Sequence, residues 1–168
     1  FQFVVSIAMI GGTLILLGQT DFLMNKELGF EAEQVMVVNA PRAAQNNENY
    51  LTSVRSFAGR VKNIPNVNGF THSGSIPGKV MGSGEFQKKG DTSGEPSSMQ
   101  LNTVDYGYFE TYGLEFVDGR GFSKDILTDQ QGLIINEAAL QALRFNSAEE
   151  ALSSKVQAFG NQQEFEIL

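Results

Sequence analysis

The chain carries one histidine, His72, set between Thr71 and Ser73, and it has no cysteine. A hydroxyl nucleophile activated by an imidazole base is the chemistry such a trio suggests, and it requires the two side chains to converge. Neighbours in an extended segment point to opposite faces, and no G-x-S-x-G elbow is present, so His72 reads as a surface or strand-edge residue. Asp118, Asp125 and Asp129 suggest calcium, but Leu127 and Gly132 break the EF-hand register and the acids read as a solvated turn. Gly82-Ser83-Gly84 is too short to cradle a phosphate, and the G-x-x-x-x-G-K-[ST] loop is absent, so ATP hydrolysis by that route does not reside in this chain. Arg120 and Lys124, close to Asp118 and Asp125, are expected to form exposed ion pairs of small energy rather than a ligand clamp. Tyr106, Tyr108, Phe109 and Tyr112 offer a stacking platform, yet aromatic residues at helical spacing are normally core. No catalytic, cofactor-binding or metal-binding residue is assigned, and the chain is not expected to be an enzyme.

Composition narrows the remaining classes. A chain of 168 residues makes one ordinary domain plus a short appendage, and with no cysteine it holds no disulfide framework and no thiolate metal site. Its 19 acidic against 12 basic residues give a net charge of -7, which repels phosphate backbones and argues against nucleic acid as a partner.

The charge is unevenly placed, since no charged residue precedes Asp21. Within this stretch Phe3, Val4, Val5, Ile7, Ile10, Leu14, Ile15, Leu16 and Leu17 are the candidate membrane-spanning residues. Twenty helical residues extend about 30 Å, the thickness of a bilayer's hydrocarbon. Each strongly apolar residue favours insertion by roughly 0.3 to 0.6 kcal/mol, against smaller costs from Gln2, Ser6, Thr13 and three glycines. A cleaved signal would need a basic n-region and a small-residue cleavage step, and a core helix would show a polar stripe; neither pattern is present. The opening residue, Phe1, sets the expectation that the natural start lies upstream.

The helix is expected to continue as a stalk through Asp21 to Leu28 and to stop at Gly29, with Phe30 folding back on Met24. Gly29 is the candidate stalk pivot, alongside its ordinary role as a helix C-cap. Asp21, Glu27, Glu31 and Glu33 outnumber Lys26, so this flank lacks the basic excess of a cytoplasmic loop and the domain is expected to face outward.

Beyond the stalk, Val35–Val38 reads as a buried strand, Asn47 to Ile64 as an amphipathic helix ended by Pro65, and Val67 to Thr71 as another strand. Residues 73–98, rich in glycine and serine, read as a variable loop or sub-lobe with at most a hairpin around Gly84 to Gly90. A strand is expected from Met99 to Val104, a short aromatic helix over Tyr106 to Tyr112 stopped by Gly113, and a turn at Asp118-Gly119-Arg120-Gly121. Leu133 to Ile135 reads as a strand that hands over at Asn136 to a helix over Glu137 to Leu143. Ser147 and Glu150 stand at capping-box spacing for a further helix, and Gln163 to Leu168 reads as a strand cut short. The fold class is α+β: an N-terminal transmembrane and stalk helix (1–29) followed by a mixed α/β extracytoplasmic domain (30–168).

The segment Val104-Asp105-Tyr106-Gly107-Tyr108-Phe109-Glu110-Thr111-Tyr112-Gly113-Leu114-Glu115-Phe116-Val117-Asp118-Gly119-Arg120-Gly121-Phe122-Ser123 resembles the signature of the MacB-like periplasmic core domain of ABC transporter permeases. Phe1-Gln2-Phe3-Val4-Val5-Ser6-Ile7 is similar to the opening of the membrane helix before such domains, and Leu133-Ile134-Ile135-Asn136-Glu137-Ala138-Ala139-Leu140 to their strand-to-helix step. The style is that of the large FtsX/MacB-type permeases of Bacteroidetes-type bacteria. Gly107, where the pattern has a polar residue, and Asp118, where it has a small one, depart from it, and nothing is carried over onto 74–98.

The resemblance implies a domain built of two small lobes on the periplasmic side of the bacterial inner membrane, between the first two transmembrane helices of a permease half. ATP and Mg would be bound by a partner ATPase subunit, and hydrolysis there would drive export or extraction of a substrate through mechanical transmission along the stalk. It further implies contact with membrane lipid, a permease dimer or pseudo-dimer, and a periplasmic adaptor or the exported substrate. A second class stays open on the residues alone: the ligand-sensing ectodomain of a membrane-anchored receptor, which also needs an outward stalk and a mixed α/β domain.

Overall fold

A computed structural model describes residues 1–25, 34–41, 48–79, 82–92, 95–160 and 162–168. Gly29, the proposed stalk end and the acidic residues beside it lie outside the described residues. The architecture is mixed α/β: an apolar N-terminal helix, α1 (Gln2–Asn25), and a curled five-stranded sheet with short helices around it.

Along the chain, α2 (Tyr50–Val61) precedes the hairpin strands β1 (Gly82–Lys88) and β2 (Ser97–Leu101), and α3 (Tyr108–Thr111) comes next. A 3-10 turn (Leu127–Gln131) leads into β3 (Gly132–Leu133), α4 (Glu137–Ala142), α5 (Ala148–Leu152), β4 (Lys155–Ala158) and β5 (Glu164–Ile167). The strand order is β2-β1-β4-β5-β3, antiparallel except for β3, which runs parallel to β5.

The core forms where alternating side chains of these strands meet the two C-terminal helices. Phe86, Leu143, Phe145, Ala151, Val156 and Ile167 are buried together, with Phe165 packing edge-on against Phe86 at 6.1 Å. Val156 is fully enclosed and stands opposite Phe165 across the β4–β5 ladder. On the other face Lys155 pairs with Glu166 across the same strands.

Helix boundaries are set by their caps. Asn136 accepts a hydrogen bond from the Ala139 amide at 2.9 Å, and Ser147 accepts one from the Glu150 amide at 3.1 Å, as their positions in the sequence suggest. α3 ends in a Schellman arrangement at Gly113 (φ 62°), whose amide bonds Glu110 while that of Leu114 bonds Phe109. α4 ends the same way with Arg144 (φ 61°) in the left-handed position, its side chain held by Asp91.

Several expectations are corrected. Residues 35–40 form no strand, and Met36, Val37 and Val38 are exposed; an apolar run has strand composition, but no described residue offers it a ladder. Val67 to Thr71 is not a strand either, and the nearest pairing is the single bridge Ser73–Val104. The stretch 73–98 is not an appendage: β1 is an interior strand of the sheet, hydrogen-bonded to β2 on one side and β4 on the other. Gly84 is packing space, since a Cβ there would lie 2.7 Å from the Phe86 ring and 3.0 Å from Leu101. The strand expected over Leu133 to Ile135 leaves the sheet after Leu133, because the chain turns toward its cap at Asn136. β4 is absent from the expectations altogether.

Candidate functional site

Two features concentrate the functional questions: the long apolar helix and the turn that clamps the domain. α1 has no buried residue, so Phe3, Val4, Val5, Ile7, Ile10, Leu14, Ile15, Leu16 and Leu17 are all exposed. It is long and apolar enough to cross a membrane. The hydroxyls of Ser6, Thr13 and Thr20 donate to the carbonyls of Gln2, Met9 and Leu16, one turn back, at 3.1, 2.8 and 2.9 Å. Each hydroxyl hydrogen is thereby satisfied within the helix, as hydrocarbon surroundings demand.

The turn is built from Asp118 to Ser123. Gly119 adopts φ +80° and sits so close to Leu168 that a Cβ would lie 2.8 Å from its carbonyl carbon and oxygen. Arg120 then reaches Asp129 with both terminal nitrogens, and the Ser123 amide donates to the same carboxylate at 2.7 Å. Asp129 is only 3% exposed. The Arg120 guanidinium, with help from the Ser123 amide, holds its carboxyl below the usual range despite the opposing effect of burial. This corrects the expected pairing of Arg120 with Asp118 or Asp125. Asp118 instead accepts from the Gly119 amide, and Lys124 lies over the Tyr106 ring at 5.7 Å.

On its other side the same turn carries the aromatic group. Phe109 lies 4.9 Å from Phe116 and 6.1 Å from Phe122, while Tyr108 contacts both Phe109 and Tyr112. Tyr108 and Tyr112 are buried, which raises both phenol pKa values, and Asn102 donates to the Tyr108 hydroxyl at 3.3 Å. These two rings are packing residues rather than an open platform. Asn102 also bonds the backbone of Ser75 through both its oxygen and its nitrogen.

His72 and Ser73 do not converge. The imidazole Nε2 lies 3.0 Å from the Tyr50 hydroxyl, whereas the Ser73 hydroxyl donates to the Ser75 carbonyl at 2.8 Å. Asp118 and Asp129 likewise face separate partners, and among the described residues no three His, Asp or Glu side chains are placed to hold a metal.

No protein-family model, curated protein or solved structure matches this chain. Its own geometry therefore carries the functional reading.

Two residues have roles that local sequence does not reveal. Asp129 has the sequence surroundings of a solvated turn, and its only signal is an arginine nine residues earlier. Glu150 stands at a capping-box position, but its carboxylate accepts from the backbone and side-chain nitrogens of Asn146, both at 2.8 Å, and pairs with Lys88 of β1. Lys88 also lies 4.9 Å from the centre of the Phe145 ring, so this group ties the hairpin to α5.

Proposed function

We propose that the chain is the extracytoplasmic domain of an ABC transporter permease subunit, anchored by α1 in the bacterial inner membrane with the residues after about Thr20 outside. The observation that carries this reading is a 24-residue helix with no buried side chain, no charge before Asp21 and its hydroxyls bonded inward. Such a helix transfers favourably into hydrocarbon and can pass a displacement to the domain on its outer side. In this reading the mixed domain forms two small lobes, a partner subunit binds ATP and Mg, and displacement of α1 moves the domain to drive export or extraction of a substrate. Permease dimerisation and contact with an adaptor or the exported substrate belong to the same reading.

The test is topology and association in intact membranes. A cysteine at Ile10 is expected to resist a water-soluble maleimide, and one at Ser83 to react from outside only. A nucleotide-binding subunit is expected to co-purify in mild detergent. Labelling of Ser83→Cys from the cytoplasmic side overturns the reading, and a full-length chain with one further span and a signalling module assigns it to the receptor class.

A further inference from the structure

From Asn49 to Gly84 the sequence contains no Asp or Glu and four cations, Arg55, Arg60, Lys62 and Lys79, in a chain whose net charge is -7. All four are exposed, and among the described residues none of them forms an ion pair. Elsewhere Lys88, Lys89, Arg120, Arg144 and Lys155 each have an acidic partner. Of the described cations without an ion pair, four thus gather in and just beyond α2, and the fifth, Lys124, lies over the Tyr106 ring.

Apart from α1, α2 is the longest helix, and its apolar face is only partly covered. None of its residues is buried, and although Phe57 touches Phe70 and Tyr50 touches His72, Leu51 remains 58% exposed and Phe57 39%, with Ile64 just beyond the helix at 53%. At about 100° per residue, Leu51, Val54, Phe57, Val61 and Ile64 fall within one arc of about 140°, Leu51 at one edge and Ile64 at the other, with Arg60 beyond the Ile64 edge and Lys62 and Arg55 beyond the Leu51 edge. Apolar side chains flanked on both sides by cations match a bilayer interface, where the apolar groups enter the acyl boundary and the cations reach the phosphates.

We propose that α2 docks on anionic phospholipid headgroups, laying the Leu51–Phe57–Ile64 face against the membrane surface. Charge decides the occupant: from Asn49 to Gly84 the charged groups are all positive, and a lipid surface bearing phosphates is the negative partner that also accepts apolar side chains. This rests on the reading of α1 as a membrane span, which keeps a bilayer within reach of α2. Docking would give the domain a second foothold beside its anchor.

Because the chain has no cysteine, single substitutions can carry an environment-sensitive fluorophore. The whole chain is reconstituted in vesicles of phosphatidylcholine alone or mixed with phosphatidylglycerol, with the label at Leu51→Cys or, separately, at Ile10→Cys. The Leu51 label is expected to shift to shorter wavelength and be quenched by brominated lipid in the anionic vesicles only, and high salt should reverse both effects. Both should be lost when Arg55, Arg60 and Lys62 are changed together to Gln, with unchanged circular dichroism reporting an intact fold.

The Ile10 label should be quenched in every vesicle. Its failure to be quenched sinks the reading of α1, whereas a quenched Ile10 beside a water-exposed Leu51 sinks the docking alone. Equal burial of Leu51 in neutral and anionic vesicles also overturns the proposal. Burial that tracks protein concentration rather than lipid charge assigns the face to the acidic surface of a second copy, and overturns it too.

Discussion

A phenylalanine in β1 and a phenylalanine in α2 lead different lives. Phe86 is 5% exposed beneath α4 and α5, while Phe57 touches one neighbouring ring and leaves much of its surface in water. The basic residues divide along the same boundary, since Lys88 is paired with Glu150 and stacked near Phe145, whereas Arg55 and Arg60 have no acidic partner among the described residues. From β1 onward every described basic residue but Lys124 has an acidic partner, and the buried core lies there; α2 has no buried residue and its cations have no acidic partner among the described residues. Burial and charge pairing change together, which is the contrast on which the proposed docking of α2 rests.

Truncating the two rings sets the widest gap. Phe86→Ala should cost about 3–5 kcal/mol in urea unfolding, while Phe57→Ala costs about 1 kcal/mol or less. Similar losses at both sites would erase the distinction between a closed core and an open face.

Glycine substitutions give a smaller contrast. Gly119 and Gly78 share nearly the same backbone angle, φ +80° and +81°, but a Cβ at Gly119 strikes Leu168 and Leu152 while one at Gly78 meets nothing within 4 Å. Gly78→Ala should therefore cost about 1 kcal/mol of backbone strain, and Gly119→Ala about 2–3 kcal/mol, read as shifts of the unfolding midpoint.

The smallest effect sharpens the charge half of the comparison. Lys88, the Asn146 amide and the Asn146 side chain hold the Glu150 carboxyl down to about 2, from an ordinary 4.5. A depressed folded-state pKa stabilises above the unfolded value, so the contribution is complete at neutral pH and fades as pH falls from about 4.5 toward 2. Glu150→Gln should lower the melting temperature at pH 7, and its difference from the parent chain should shrink in acid. The paired replacement of Arg55 and Arg60 by Gln should leave the melting temperature unmoved at either pH.

Helices are the most legible part of the fold, because their signals are local. The apolar run of α1, the spacing of Val54, Phe57 and Val61 in α2, the caps Asn136 and Ser147 and the stop at Gly113 are all readable within a few residues. Strands are less so, since a strand exists only by its partner. Val35 to Val38 has the composition without a ladder, and Gly82-Ser83-Gly84 has a ladder without the composition, because Gly84 makes room for a ring two residues on. β4, with Val156 its only strongly apolar residue, is defined by β1 and β5 on either side. The Arg120–Asp129 clamp is hidden for the same reason: the turn that brings the two together is specified by Gly119 seated against Leu168, a distant residue in the sequence.

The hydroxyls of α1 recur every seven residues, at Ser6, Thr13 and Thr20, and so lie almost along one line of the rod. A back-bonded hydroxyl favours a slight bend of the helix at its own position. Three on the same side favour the same sense of bend, so their effects would add. In the proposed transmission role, a push along such a rod would be partly converted into sideways swing at its far end, in a direction set by the spacing of three small polar residues.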